Sequence, residues 1–266
     1  MRDASQVGIV VPTLNSAKTL EWTLLSLLRQ KASSVRVLVA DSYSSDGTTE
    51  ICRRWDVPVV EVSAGNMYRA INEGIKSLQT EWVGYLNSDD VLYLDGLKRL
   101  LEAGTASDAD VAYGFCDYID AAGRFVYALT PAPPKDLTEL FQRGIMPMAQ
   151  PATLVRRELT LHLGGFSEQL RYAADYDFFA RAAVSGARFV RIGIPSVAAF
   201  RVHDEQLSAV GAEDVKREVA RIRESLPTTA AWRGIAAEVR WRARNIDQTL
   251  ISLMRIRKLR RSLPPR

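Results

Sequence analysis

Two adjacent carboxylates stand in Asn87-Ser88-Asp89-Asp90, directly after the apolar run Trp82-Val83-Gly84-Tyr85-Leu86. Neighbouring negative charges repel, and a cation beside them relieves the repulsion. A small set of hard oxygen ligands suits Mg2+ or Mn2+ completed by diphosphate oxygens and water. The other reading is a polar loop that caps the next helix. Asp41, closing the run Val35 to Ala40, can accept hydrogen bonds from a base or ribose, as acidic residues do in other nucleotide folds. Asp46 allows two readings, ligand contact or the cap of a helix opening at Thr48. Asp175, flanked by Tyr172 and Tyr176, suits a general base with a raised pKa, while Asp175 and Asp177 also suit an N-cap. His203 with Arg201 offers imidazole and guanidinium to a diphosphate or its metal, or is a plain surface residue. The two histidines, His162 and His203, lie far from any cysteine cluster, which speaks against zinc.

The elements that must carry these groups follow from periodicity. Val7 to Val11, ended by Pro12, reads as a buried strand. Asn15 or Ser16 caps a helix with Leu20, Leu24, Leu27 and Leu28 on one face. Strands over Val35–Ala40, Val57–Val62 and Trp82–Leu86 alternate with helices from Thr48 and over Met67–Leu78. Such alternation predicts a parallel sheet with crossover helices, whose ligands lie beyond the carboxyl ends of the strands. Asp41 and Asp89 occupy that position. Further on, Val111–Tyr118 and Phe125–Ala128 flank the turn Asp120-Ala121-Ala122-Gly123 as a hairpin. Gln150–Arg156, Phe189–Ile192 and Val197–Val202 read as strands, and Asp175–Val184 as a helix.

The chain has 266 residues, 47% hydrophobic and 25% charged, as expected of one folded domain with an appendage. From Trp232 to Arg266 ten Lys/Arg face two Asp/Glu, a net +8, so residues 1–231 of this +4 chain carry −4. A mildly acidic body argues against nucleic acid and assigns the basic character a separate role. Val215, Val219, Ile222 and Leu226 keep helical spacing. Trp232, Ile235, Ala236, Val239, Ala243, Ile246 and Leu250 form a second stripe. The segment 228–266 either lies on an anionic membrane or packs as a solvated helix on the body or a second subunit. Cys52 and Cys116 read as buried thiols in a reducing cytoplasm, and no leader or spanning segment is expected. Phosphate-loop, dinucleotide-glycine and Gly-x-Ser-x-Gly patterns are missing, which removes P-loop ATPases, ordinary dehydrogenases and α/β hydrolases.

Together these pieces resemble the family 2 glycosyltransferases. Val10-Val11-Pro12-Thr13-Leu14-Asn15 is similar to that family's opening strand and donor loop. Val39-Ala40-Asp41-Ser42 with Ser45-Asp46-Gly47-Thr48 is similar to its nucleotide-binding signature. Gly65 to Ile75 resembles the segment closing over the nucleotide, and Leu86 to Asp90 its metal motif. Gln150-Pro151-Ala152-Thr153, Gly164-Gly165-Phe166, Ala174 to Phe178, and Arg201-Val202-His203 with Gln206-Leu207-Ser208 resemble the acceptor half. The likeness covers about residues 6–210, and blocks in this order are more specific than any one of them. Two positions depart: Asn87 opens the usual Asp-x-Asp motif, and Ala174 replaces the Glu that often precedes the catalytic Asp.

The resemblance implies an α/β fold of the GT-A type, a mostly parallel central sheet flanked by helices. It implies a domain over 1–210, split near 105 into nucleotide and acceptor halves, and a basic helical extension over 211–266. It implies inverting transfer of a sugar from a UDP-, GDP- or dTDP-linked donor to a sugar or lipid-linked glycan acceptor, in surface polysaccharide or glycolipid assembly. Donor contacts fall to Pro12, Thr13, Asn15, Asp41, Ser42, Asp46, Asn72, Asn87, Ser88 and Arg201. Metal contacts fall to Asp89, Asp90 and His203, and the base is Asp175. The competing readings are a sugar-phosphate nucleotidyltransferase and a non-catalytic sugar-nucleotide-binding protein. The first would want a Gly-rich basic loop where Pro12-Thr13-Leu14-Asn15 stands.

Overall fold

The structure is a computed structural model that describes residues 6–30, 35–203, 206, 211–228, 230–248 and 250. Its centre is a seven-stranded sheet in the order β10-β6-β9-β4-β1-β2-β3. The strands are β1 (Val7–Thr13), β2 (Val35–Asp41), β3 (Val59–Glu61), β4 (Trp82–Tyr85), β6 (Val111–Tyr113), β9 (Thr153–Arg156) and β10 (Phe189–Arg191). The β1, β2, β3 and β4 strands run parallel, as the alternation predicts, while β9 inserts antiparallel between β4 and β6. A second sheet, β5-β11-β7-β8, is built from β5 (Val91–Leu92), β7 (Cys116–Asp120), β8 (Phe125–Leu129) and β11 (Ala198–Val202).

Helices α1 (Leu20–Leu28), α2 (Thr48–Arg54) and α3 (Met67–Ser77) are the crossovers of the first half, and α4 (Gly96–Ala106) follows β5. The second half carries α5 (Leu137–Gln142), α6 (Arg157–His162), α7 (Ala174–Val184), α8 (Ala212–Ser225) and α9 (Ala231–Arg244). Ile222, Ala237 and Trp241 join the same buried cluster as the sheet, so α8 and α9 pack onto the body.

Several boundaries differ from the sequence expectation. The first strand runs through Pro12 to Thr13. Val10 O accepts from Leu86 N on the β4 side and Thr13 O from Ser42 N on the β2 side. By alternation the Pro12 nitrogen points towards β4, beyond its last ladder pair at Tyr85, where no donor is needed. Neither Asn15 nor Ser16 caps α1 with its side chain; Thr19 is the N-cap, and Leu28 is exposed. The expected strand Val111–Tyr118 divides between the two sheets at Gly114–Phe115, and Gln150–Ala152 is a 3-10 turn before β9.

The second apolar stripe, left open between a membrane and the body, points outward on α9. Trp232, Ile235 and Val239 are exposed, and the helix docks through Gly234, Ala237 and Trp241 on its opposite face.

Gly74 fixes the distance between α3 and the sheet. A β-carbon there would lie 2.6 Å from Val10 Cγ1 and 2.7 Å from Cγ2. Val10 is buried and β-branched, so it has little freedom to yield. Gly74→Val should therefore lower unfolding free energy by about 2–3 kcal/mol, read from the urea midpoint at unchanged slope. An unchanged midpoint would show that the helix slides freely on β1.

Candidate active site

The register of β1 on β2 sets Thr13 beside Asp41 at the carboxyl edge. Thr13 Oγ1 donates to Asp41 Oδ1 at 2.7 Å, Ser44 Oγ to the same oxygen at 2.6 Å, and Ser44 N to Oδ2 at 2.8 Å. Asp41 is 1% exposed, and Ser42 and Pro12 are buried beside it. Asn15, in the left-handed region at φ 52°, accepts from Ser45 N, and its own N donates to Ser44 Oγ. These bonds knit the loops after β1 and β2 into one rim.

Asp46 belongs to the rim's frame. Oδ1 accepts from Thr48 N and Oγ1, and Oδ2 accepts from Ala17 N at 3.0 Å. Those hydrogen bonds hold its carboxyl below its ordinary value against a desolvation that works the other way. The helix-start reading of Asp46 describes this geometry.

The loop after β4 separates its two carboxylates. Asp90 is fully buried; Oδ1 accepts from Arg201 N at 2.8 Å and Oδ2 from Asn87 Nδ2 at 3.2 Å. Burial, and then the Asp89 charge, push its carboxyl well above the ordinary range. Asp90 is therefore turned into the protein, where Arg201 N and the Asn87 amide hold it. Arg201 braces the loops too: Nε donates to Asp89 O, and Nη1 to Asp120 O and Ala121 O. Asp89 keeps a partly open carboxylate, with Oδ2 2.8 Å from His203 Nε2. Ser88 Oγ meets Ser16 Oγ at 2.8 Å and ties this loop to the first.

Three donors thus remain for a cation: Asp89, His203 and Asn87 Oδ1, a buried oxygen with no hydrogen-bond partner among the described residues. No group of three acidic, His or Cys side chains gathers as a cage among those residues. This set fits a divalent ion whose remaining ligands come from phosphate oxygens and water.

Asp175 opens α7 without capping it; its Oδ1 accepts from the adjacent Tyr176 N at 2.7 Å. Burial pushes its carboxyl up to about 6, against hydrogen bonds from Tyr176 and its own backbone, and Glu218 adds to the push. Asp177 serves α7 itself through a 2.8 Å ion pair with Arg181. Burial also raises the phenols of Tyr85 and Tyr118, and both Asp175 and Asp90 reinforce each of them. Tyr85 ends β4 just ahead of the Asn87–Asp90 loop and packs edge-on to Phe166 at 5.3 Å, and Phe166 packs on Phe178 of α7 at 4.6 Å, so ring contacts connect Asp90 and Asp175, 85 positions apart in sequence.

Asn72, expected at the nucleotide, instead clasps the acceptor half. Its Nδ2 donates to Phe166 O at 2.8 Å and its Oδ1 accepts from Phe166 N at 2.9 Å. Sequence reasoning missed Glu218 altogether. From α8 it accepts the N–H groups of Arg171, Tyr172 and Ala173 at 2.8, 3.0 and 2.8 Å, fixing the segment that enters α7. A lone Glu on a helix with ordinary periodicity carries no mark of that task.

A comparison with known families decides the affiliation, since the model described as Glycosyl transferase family 2 matches residues 8–164. The chain belongs to that family. Among its curated relatives, the succinoglycan biosynthesis protein ExoO of Rhizobium meliloti is 29% identical over 200 residues, covering 68% of this chain and 57% of that one. The chain thus spans little more than half the length of that relative. Among solved structures, S. aureus TarS with UDP-GlcNAc superposes at TM-score 0.66 and 19% identity, covering 86% of this chain and 69% of that one. The mannosyltransferase PcManGT from Pyrobaculum calidifontis, in complex with GDP-Man and Mn2+, gives TM-score 0.61 and 20% identity over 89% and 69%. The family 2 chain thus has the α/β architecture of the GT-A type expected from its sequence.

Proposed function

We propose that this chain is an inverting, metal-dependent glycosyltransferase using a nucleoside-diphosphate sugar. The observation that supports the reading is a chain of ring contacts from the strand that precedes Asp89 to the helix that bears Asp175: Tyr85 packs edge-on to Phe166 at 5.3 Å, and Phe166 on Phe178 at 4.6 Å. Asp89 is partly open beside His203, while Asp175 is held near pH 6 by burial. Family membership supports the activity, and the UDP-GlcNAc bound by TarS and the GDP-Man bound by PcManGT support the donor class.

The chemistry is a displacement at the anomeric carbon. The acceptor hydroxyl oxygen attacks from the face opposite the diphosphate, the carbon–phosphate-oxygen bond breaks, and its electron pair leaves with the nucleoside diphosphate. Asp175 takes the hydroxyl proton. Thr13, Asn15, Asp41 and Ser42 shape the loop rim for the nucleotide, with Asn87 and Ser88 beside the diphosphate. Asp89, His203 and Asn87 Oδ1 would hold Mg2+ or Mn2+. When bound, that ion neutralises charge growing on the leaving diphosphate.

The acceptor in this reading is a sugar or lipid-linked glycan in surface polysaccharide or glycolipid assembly. ExoO's description supports that setting. Residues 1–210 form the transferase, and 211–266 the extension that meets an anionic surface at the cytoplasmic side of the membrane. No helix among the described residues is long and apolar enough to cross one.

Thermal unfolding with a panel of UDP-, GDP- and dTDP-sugars tests the reading. The correct donor at about a hundred times its Kd should add roughly 2.7 kcal/mol of stability, several degrees of Tm, only while Mn2+ or Mg2+ is present. A shift that persists in EDTA removes the metal from the mechanism. Product formation from a nucleoside triphosphate and a sugar phosphate would favour a nucleotidyltransferase.

A further inference from the structure

The outward face of α9 is unlike the rest of the surface. Five of the sixteen exposed large apolar side chains among the described residues fall between Trp232 and Leu250. Trp232, Ile235 and Val239 are 67%, 53% and 62% exposed, and Ile246 and Leu250 continue the series just past the helix end. At about 100° per residue, Trp232, Ile235, Val239 and Ala243 share one stripe opposite Gly234, Ala237 and Trp241. Scattered apolar residues need no explanation, but a contiguous stripe of this kind does.

Its borders are cationic. Arg233, Arg240 and Arg244 flank one side of the stripe, and Arg242 the other. The Arg233 guanidinium lies 5.5 Å from the Trp232 ring centre. Arg240 is held by Asp136 at 2.6 Å and Arg242 by Glu238 at 2.8 Å. Residues 251–266 add six Lys/Arg and no Asp/Glu.

We infer that this face of α9 docks onto an anionic lipid bilayer. The helix lies in the headgroup plane, with Trp232, Ile235 and Val239 among the upper acyl chains and the arginines at phosphate level. Its 14 residues make about 21 Å of helix, too short for a hydrocarbon core of about 30 Å. A second copy is the poorer occupant. Pairing two such stripes would bring two sets of arginines together, and Glu238 is already engaged by Arg143 and Arg242. An anionic surface complements both the stripe and its borders. The inference deepens the proposed function by naming the face turned towards a lipid-linked acceptor, yet it rests on exposure and charge rather than on catalysis.

The test is co-sedimentation of the full chain with vesicles of phosphatidylcholine alone or mixed with phosphatidylglycerol. Binding should require the anionic lipid and weaken with salt. The double variant Ile235→Glu, Val239→Glu changes only exposed positions, so its urea midpoint should match the parent. Its partitioning should fall at least about ten-fold. Three results overturn the inference: no binding to anionic vesicles, binding unchanged in the double variant, or a solution dimer that the same substitutions dissolve. Transfer to a water-soluble acceptor, measured in parallel, should be equal in both proteins. A dead enzyme that still binds vesicles would sink the catalytic reading alone.

Discussion

Asp175→Asn should reduce kcat by about 100- to 10,000-fold while leaving the fold and donor binding in place, because it removes only the proton acceptor. In the parent, activity needs the ionised carboxylate. With the group held up to about 6 by burial, kcat should fall roughly ten-fold per pH unit below 6 and level off above it. Glu218 contributes to that elevation from α8, so Glu218→Gln should move the acid limb to lower pH. The stability sign runs opposite to the activity. A carboxyl raised from 3.8 to about 6 in the fold favours folding below 3.8, and this advantage is lost as pH rises through 6. The Asn variant should thus be the more stable protein above pH 6 and the less active one. Parent-like turnover at pH 8 would pass the role of base to another group.

Asp89→Asn is the second large effect. Asp89 is the one carboxylate of its pair that remains partly open, since Asp90 is sealed behind Arg201 N and the Asn87 amide. Replacing it removes the charge that would hold the cation against the diphosphate. A loss of about 100- to 1,000-fold in kcat is expected, the size typical of losing one preorganised charge stabiliser. The metal-dependent donor shift in Tm should disappear with it. Asp90→Asn provides the contrast, because its partners are protein groups, so the metal-dependent donor shift should survive it. If Asp89→Asn retained the metal-dependent shift, the cation would lie elsewhere.

Much of this architecture was legible because its causes are local. Buried apolar runs ending in Asp41 and Asn87 announced parallel strands and the edge where ligands gather. The helical spacing of Ile71 and Ile75 placed α3. The division of labour within each polar cluster was not legible, since it depends on residues far along the chain. Asp89 and Asp90 are equivalent in sequence until Arg201, 111 positions beyond Asp90, takes one of them. Asn72 gives no sign in sequence that the turn at Phe166 closes on both ends of its amide. Periodicity found the stripe on α9 but could not say which side met the body, because Gly234, Ala237 and Trp241 form an opposing face of small residues around one ring. Packing chose the face that allows the closer approach.

Glu218 lies 54 positions beyond the last residue matched by the family model, yet it grips the three amides that lead into α7. A helix outside the matched residues thus fixes the approach to the helix that bears Asp175. Next along the chain, α9 rests on α5, which in turn packs against α7. The docked face of α9, through Gly234, Ala237 and Trp241, is therefore one packing layer removed from the helix that bears Asp175, while its outward stripe is left free of that stack.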